Sequence, residues 1–128
     1  MPVSRATIPV DQRLIVALDV PTGAKARELV DTLGDSASFY KVGLELFTGA
    51  DGFAVVDWLS DNGKQVFVDL KFFDVPATVA RAVKQLRGRN ITFATVHGND
   101  TIMRAAAEAS EDVGILAVTV LTSLDSAD

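Results

Sequence analysis

The 128-residue sequence contains no cysteine. Disulfides, thiolate metal sites, iron–sulfur clusters and cysteine nucleophiles are therefore excluded. It contains one histidine, His97, so a multi-histidine metal centre is excluded and a single candidate remains for triad-type chemistry. No apolar run reaches the roughly 18 residues of a membrane span. The opening Met1-Pro2-Val3-Ser4-Arg5 lacks the apolar stretch of a secretory signal. Positive charge is in deficit: 12 Lys and Arg against 17 Asp and Glu give a net charge of −5, which argues against a general nucleic-acid binder. An anionic small substrate would need local positive charge of its own. The low hydrophobicity that marks intrinsic disorder is missing too, since 48% of residues are hydrophobic. No linker, low-complexity tract or charge block interrupts the chain. The expectation is an acidic, cytoplasmic globular chain with one domain over residues 1–128 and no membrane or nucleic-acid partner.

What is present is an alternation of short β-branched runs with longer amphipathic stretches. Leu14 to Leu18 is a five-residue apolar run, the length of a buried strand. Thr22 to Leu33 has helical spacing, with Thr22 as N-cap and Gly34 as stop. Ser38 to Val42 reads as a strand, Phe53 to Leu59 as a helix closed by Asn62-Gly63, and Gln65 to Lys71 as a strand. Pro76 to Leu86 reads as a helix with proline in its first turn, Ile91 to Val96 as a strand, Thr101 to Ala109 as a helix, and Val113 to Leu121 as a fifth strand. Ser123 to Asp128 looks like the start of another helix. The pattern predicts about five parallel strands and four helices, an α/β fold with helices covering the sheet. An open doubly wound sheet and a barrel both fit it.

Polar residues fall at the strand ends. Asp19 follows the first strand, Lys41 lies near the end of the second, and Asp69 and Lys71 end the third. His97 ends the fourth, and Thr122 with Ser123 ends the fifth. Carboxyl ends of parallel strands form the ligand-binding edge of α/β folds. Asp, Ser and Thr after a strand also serve as helix caps, which is the plain reading of Ser123 or Asp74 alone, and His97 alone reads as a structural hydrogen-bonding residue. Lysine cannot cap a helix N-terminus, and burying it unpaired is costly. Side chains alternate along a strand, so Asp69 and Lys71 share a face. With Asp74 just beyond and Lys41 on the neighbouring strand, these residues predict an alternating charge array. Carboxylates beside a lysine favour its ammonium form, and a fixed ammonium is a general acid. A purely structural ion-pair cluster is the competing account.

The segment Asp69-Leu70-Lys71-Phe72-Phe73-Asp74, followed by Val75-Pro76-Ala77-Thr78, resembles the DxKxxD signature of the orotidine 5′-phosphate decarboxylases, the bacterial branch in particular. Ile15 to Val20, Tyr40-Lys41-Val42-Gly43, Thr95-Val96-His97-Gly98 and Ala117 to Ser123 resemble that family's first, second, fourth and fifth strands, so the likeness runs nearly the whole chain. Ala77 departs from it, since that branch often has Asn there. The same DxKxxD occurs in Mg²⁺-dependent relatives, the 3-keto-L-gulonate 6-phosphate decarboxylases and hexulose phosphate synthases, which typically carry Glu where this chain has Lys41. Lys41 therefore favours the orotidylate reading.

The resemblance implies a (β/α)8 TIM barrel and decarboxylation of orotidine 5′-monophosphate to UMP in pyrimidine biosynthesis, without metal or cofactor. It implies that Asp69 destabilises the substrate carboxylate, that Lys71 protonates C6, and that Lys41 holds Asp69 and contacts the ribose. Asp19 would bind ribose hydroxyls, and Thr122 the substrate near the pyrimidine. Asp74 and Thr78 would complete the site of a partner in a homodimer. Barrels of this kind take about 250 residues, and no Gly-rich phosphate loop occurs here. The chain is accordingly expected to be the N-terminal portion of such an enzyme, an incomplete barrel that is inactive alone. The alternatives are a Mg²⁺-dependent sugar-phosphate decarboxylase and a non-catalytic half-barrel binding module.

Overall fold

The computed structural model describes residues 7–49 and 51–128. Five parallel strands form one sheet in sequence order: β1 (Val16–Ala17), β2 (Phe39–Gly43), β3 (Gln65–Phe72), β4 (Ile91–His97) and β5 (Gly114–Val118). Helices α1 (Gly23–Leu33), α2 (Leu44–Gly49), α3 (Gly52–Asp61), α4 (Pro76–Lys84) and α5 (Asp100–Ser110) lie between them. In-order parallel pairing with helical crossovers is the connection that a right-handed βα repeat produces.

Local chemistry sets the helix ends. The Thr22 side chain accepts from the Lys25 N–H at 3.2 Å and caps α1. Asp51 caps α3 through the Ala54 N–H at 3.2 Å, and Asn99, rather than Thr101, starts α5 by accepting from Thr101 and Ile102. Pro76 occupies the first turn of α4, where its missing N–H costs nothing. Gly63 ends the α3 turn at φ +73°, a left-handed conformation that glycine adopts without penalty.

The two faces of the sheet differ in chemistry. Tyr40, Val42, Val66, Val68 and Ala94 are buried against Ala26 and Val30 of α1 and Val55, Val56 and Leu59 of α3. Val96 packs with Val79 and Val83 of α4 and Ile102, Ala106 and Ala109 of α5. Burial of each such Val or Leu side chain contributes about 1.5–3 kcal/mol before entropy. By alternation, Phe39, Lys41, Phe67, Asp69, Phe93 and Thr95 take the opposite face. Phe39 stacks on Phe93 at 6.0 Å, and Phe67 meets Phe93 edge-on at 6.1 Å. The aromatic trio lies toward the strand starts, and the charged residues follow two positions further on.

Several sequence expectations need correction. Among the described residues five α-helices occur rather than four, because Leu44–Gly49 coils into α2 directly after β2. The first strand pairs only over Val16–Ala17, and Leu14 and Ile15 before it lie exposed at the sheet edge, where their register opposite β2 is not taken up. At the other edge β5 stops at Val118, and Val120 and Leu121 are exposed. No helix starts at Ser123; residues 122–123 and 126–127 form turns, with the Asp125 and Asp128 carboxylates occupied by nearby N–H groups. Among the described residues no helix is long and apolar enough to cross a membrane.

Candidate active site

Lys41, Asp69 and Lys71 converge at the carboxyl end of the sheet. Asp69 Oδ2 lies 3.3 Å from Lys41 Nζ, across the β2–β3 pair. Asp69 Oδ1 accepts from Lys71 Nζ at 3.1 Å and from the Thr95 hydroxyl at 2.8 Å. The Asp69 side chain is only 10% exposed, against 28% for Lys41 and 40% for Lys71. Burial would push the Asp69 carboxyl up. The hydrogen bonds from Thr95 and Lys71, the Lys71 charge and the Lys41 contact outweigh it and hold the group below its ordinary 3.8. Two ammoniums contact the one buried carboxylate and give an acidic chain a local pair of positive charges that an anion can meet.

The Asp69–Lys71 pairing does not come from a regular strand. Between Val68 and Phe72, β3 advances four residues while β4 advances two, from Ala94 to Val96. Within this excursion Lys71 has φ +48°, a conformation that costs a non-glycine residue on the order of 1–3 kcal/mol. The Lys71 N–H, displaced from a regular ladder, donates to Thr95 Oγ1 at 2.9 Å. Thr95 is 5% exposed. In the sequence Thr95 is simply one residue of the fourth apolar run, with no motif to mark it. Its position two residues before His97, on the face shared with Phe93, was the available signal.

The other candidate residues take separate positions. Asp19 is exposed, and its Oδ1 approaches Gly43 at the same sheet edge, where a glycine Cβ would lie 3.9 Å away. Asp74 does not join the charge array within this chain; it is exposed and accepts from the Val75 N–H at 2.6 Å, because the chain turns out of the sheet before Pro76. Thr78, in the first turns of α4, accepts from Arg81 at 3.2 Å. Thr122 and Ser123 are exposed in the turn beyond β5 and do not end the strand. His97 ends β4 and stacks on Phe73, with ring centroids 4.1 Å apart.

Beside Lys71 lies a largely apolar recess of about 370 Å³, walled by Phe73, His97, Val118, Val120 and Leu121. A larger open groove of about 820 Å³ runs between α1 and α3 past Arg27, Asp31 and Asp51. None of the charge cluster lines that groove, so the recess at Lys71 is the candidate site. Gly98 shapes its rim: its N–H donates to the Val118 carbonyl at 2.9 Å, and a Cβ there would meet that oxygen at 2.9 Å. Among the described residues no group of three or more His, Asp or Glu side chains could hold a metal ion.

A sequential parallel sheet backed by helices, with ionisable groups gathered at the carboxyl ends of its strands, defines the barrel class of α/β proteins. Within that class the chain belongs to the Orotidine 5'-phosphate decarboxylase / HUMPS family, whose pattern it matches over residues 12–128. It is 64% identical over 125 residues to an orotidine 5'-phosphate decarboxylase of Methylococcus capsulatus, covering 98% of this chain and 52% of that one. It is 52% identical over 129 residues to one of Stenotrophomonas maltophilia, covering 98% and 54%. Among solved structures, the orotidine 5'-phosphate decarboxylase of Lactobacillus acidophilus superposes with a TM-score of 0.79 at 36% identity, covering 89% of this chain and 55% of that one. That of Thermotoga maritima gives 0.74 at 27% identity, covering 87% and 56%. The chain spans about half the length of the curated relatives it matches. Its five strands are thus part of a barrel.

Proposed function

We propose that this chain carries the proton-donating half of an orotidine 5′-monophosphate decarboxylase site. The observation that carries the reading is Lys41 against Asp69 at 3.3 Å. A Mg²⁺-dependent relative would need a carboxylate there, whereas an ammonium repels a cation and strengthens an anion site. In the proposed reaction the C6–carboxylate bond of the substrate breaks, its electron pair stays on C6, and CO₂ leaves. The Lys71 ammonium stabilises that charge and transfers its proton to C6, giving UMP; solvent returns the proton to Lys71. The Asp69 carboxylate, held ionised by its donors, lies beside the substrate carboxylate and disfavours the ground state. Lys41 keeps Asp69 in place and reaches the ribose, Asp19 binds ribose hydroxyls, and Thr122 lies near the pyrimidine. The exposed Asp74, with Thr78, serves the site of a second subunit in a homodimer. No metal or cofactor takes part.

The test joins this chain to the part of the Methylococcus capsulatus relative that lies outside the match and assays UMP formation. Turnover that survives EDTA and disappears in Lys71→Ala supports the reading. Turnover lost on chelation and restored by Mg²⁺ moves the chain to the sugar-phosphate branch, and absence of any Lys71-dependent turnover overturns the proposal.

A further inference from the structure

We infer that Thr95 is a positioning residue, whose single hydroxyl sets the spacing between the Asp69 carboxylate and the Lys71 ammonium. The importance of that spacing rests on the function proposed above; the contact itself does not. Three observations converge on Thr95. Its Oγ1 accepts from the Lys71 N–H at 2.9 Å and lies 2.8 Å from Asp69 Oδ1. It is 5% exposed, so its bond to Asp69 is buried from water, while the bond from the Lys71 N–H is part-buried. It stands on β4 inside the interval where β3 spends two extra residues, with Lys71 at φ +48°.

A hydroxyl has one proton and two lone pairs. The amide of Lys71 can only donate and the ionised Asp69 can only accept, so both bonds have a fixed direction: Lys71 N–H to Thr95 oxygen, Thr95 O–H to Asp69. Bonds in such a chain polarise one another. The hydroxyl replaces the β4 carbonyl that the Lys71 amide would meet in a regular ladder. It thereby holds Lys71 in the left-handed turn that sends its ammonium back toward Asp69. Valine matches threonine in shape but offers neither bond. It would leave the part-buried Lys71 N–H without its partner and remove one donor from Asp69. Serine keeps both bonds and loses only a methyl group.

The experiment compares Thr95→Val and Thr95→Ser with the unaltered chain. The Asp69 carboxyl is followed by carbon-13 NMR titration, and the Lys71 amide by hydrogen exchange. In Thr95→Val the Asp69 titration should move up in pH and Lys71 amide exchange should accelerate about 2- to 10-fold, the effect of losing a neutral hydrogen bond. Thr95→Ser should restore both. If Thr95→Val does not fold, Thr95→Ala against Thr95→Ser gives the same comparison. Unchanged titration and exchange in the valine or alanine variant, or a serine variant as impaired as that one, would overturn the inference. Neither readout requires turnover, so an inactive joined enzyme with a serine-rescued titration removes the decarboxylase reading and leaves Thr95 its role. In a joined enzyme that does turn over, Thr95→Val should lower kcat about 10- to 100-fold with KM within about twofold. A rise in KM with kcat unchanged would overturn the inference.

Discussion

Asp69→Asn is the most direct probe of the charge cluster. Asparagine keeps the size of the side chain and can still accept from Thr95, so the substitution removes charge with little change in packing. At neutral pH it leaves the ammoniums of Lys41 and Lys71, which had approached the carboxylate at 3.3 and 3.1 Å, without a counter-charge. Removing one partner of a buried pair costs about 3–5 kcal/mol. The Lys71 side chain is 40% exposed, so solvent screens part of that, and the expected loss at pH 7 is about 2–4 kcal/mol. The pH dependence has a definite sign. The folded-state pKa of Asp69 is depressed below 3.8, so its stabilisation is present above the unfolded value. It fades as pH falls through the folded value, where the carboxylate takes up a proton. Urea unfolding followed by fluorescence of Trp58, the chain's one tryptophan, should therefore show a wide gap between the two proteins at pH 7 that closes below about pH 4. A variant as stable as the parent at pH 7, or a gap of constant size down to pH 2, would refute the electrostatic account of the cluster.

Leu59 of α3 is fully buried in the core between sheet and helices, so Leu59→Ala should lower the unfolding free energy by about 2–5 kcal/mol in the same urea assay. Gly98→Ala drives a Cβ to 2.9 Å from the Val118 carbonyl oxygen and should cost about 1–3 kcal/mol; nuclear magnetic resonance shifts confined to the β4–β5 rim would locate the strain. The chain by itself should form no measurable UMP from orotidine 5′-monophosphate. Its sequence offers no Gly-rich phosphate loop, and the absence of three or four charge-assisted phosphate bonds removes roughly 4–12 kcal/mol of transition-state binding. Lys71-dependent product from the purified chain would contradict this.

The parts of the fold and site that were legible in the sequence are those set by local chemistry. Uninterrupted apolar runs such as Val66-Phe67-Val68 announce strands covered by helices, and Thr22, Pro76 and Gly63 announce helix ends through hydrogen bonds or φ values that reach no further than their own turn. Lys41 and Lys71 were conspicuous for the same reason: an ammonium in an apolar strand requires a counter-charge, and Asp69 was two residues away. What escaped depends on the neighbouring strand. The helix α2 is six residues long and ends at Gly49, too short for a periodic signal. The reach of β1 and β5 depends on which backbone has a partner, and both are sheet edges. Simple alternation places Asp69 and Lys71 on one face, yet the observed contact is made across a two-residue irregularity whose register belongs to β3 and β4 jointly. A regular strand would have carried the Lys71 amide to a β4 carbonyl. The irregular one presents it to a side chain, and Thr95 becomes visible only once both strands are in place. The same reasoning accounts for Asp74. Its place in the motif is local and readable, but whether its carboxylate reaches Lys71 is decided by the turn before Pro76, and there it accepts from the Val75 N–H while Lys71 pairs with Asp69 instead.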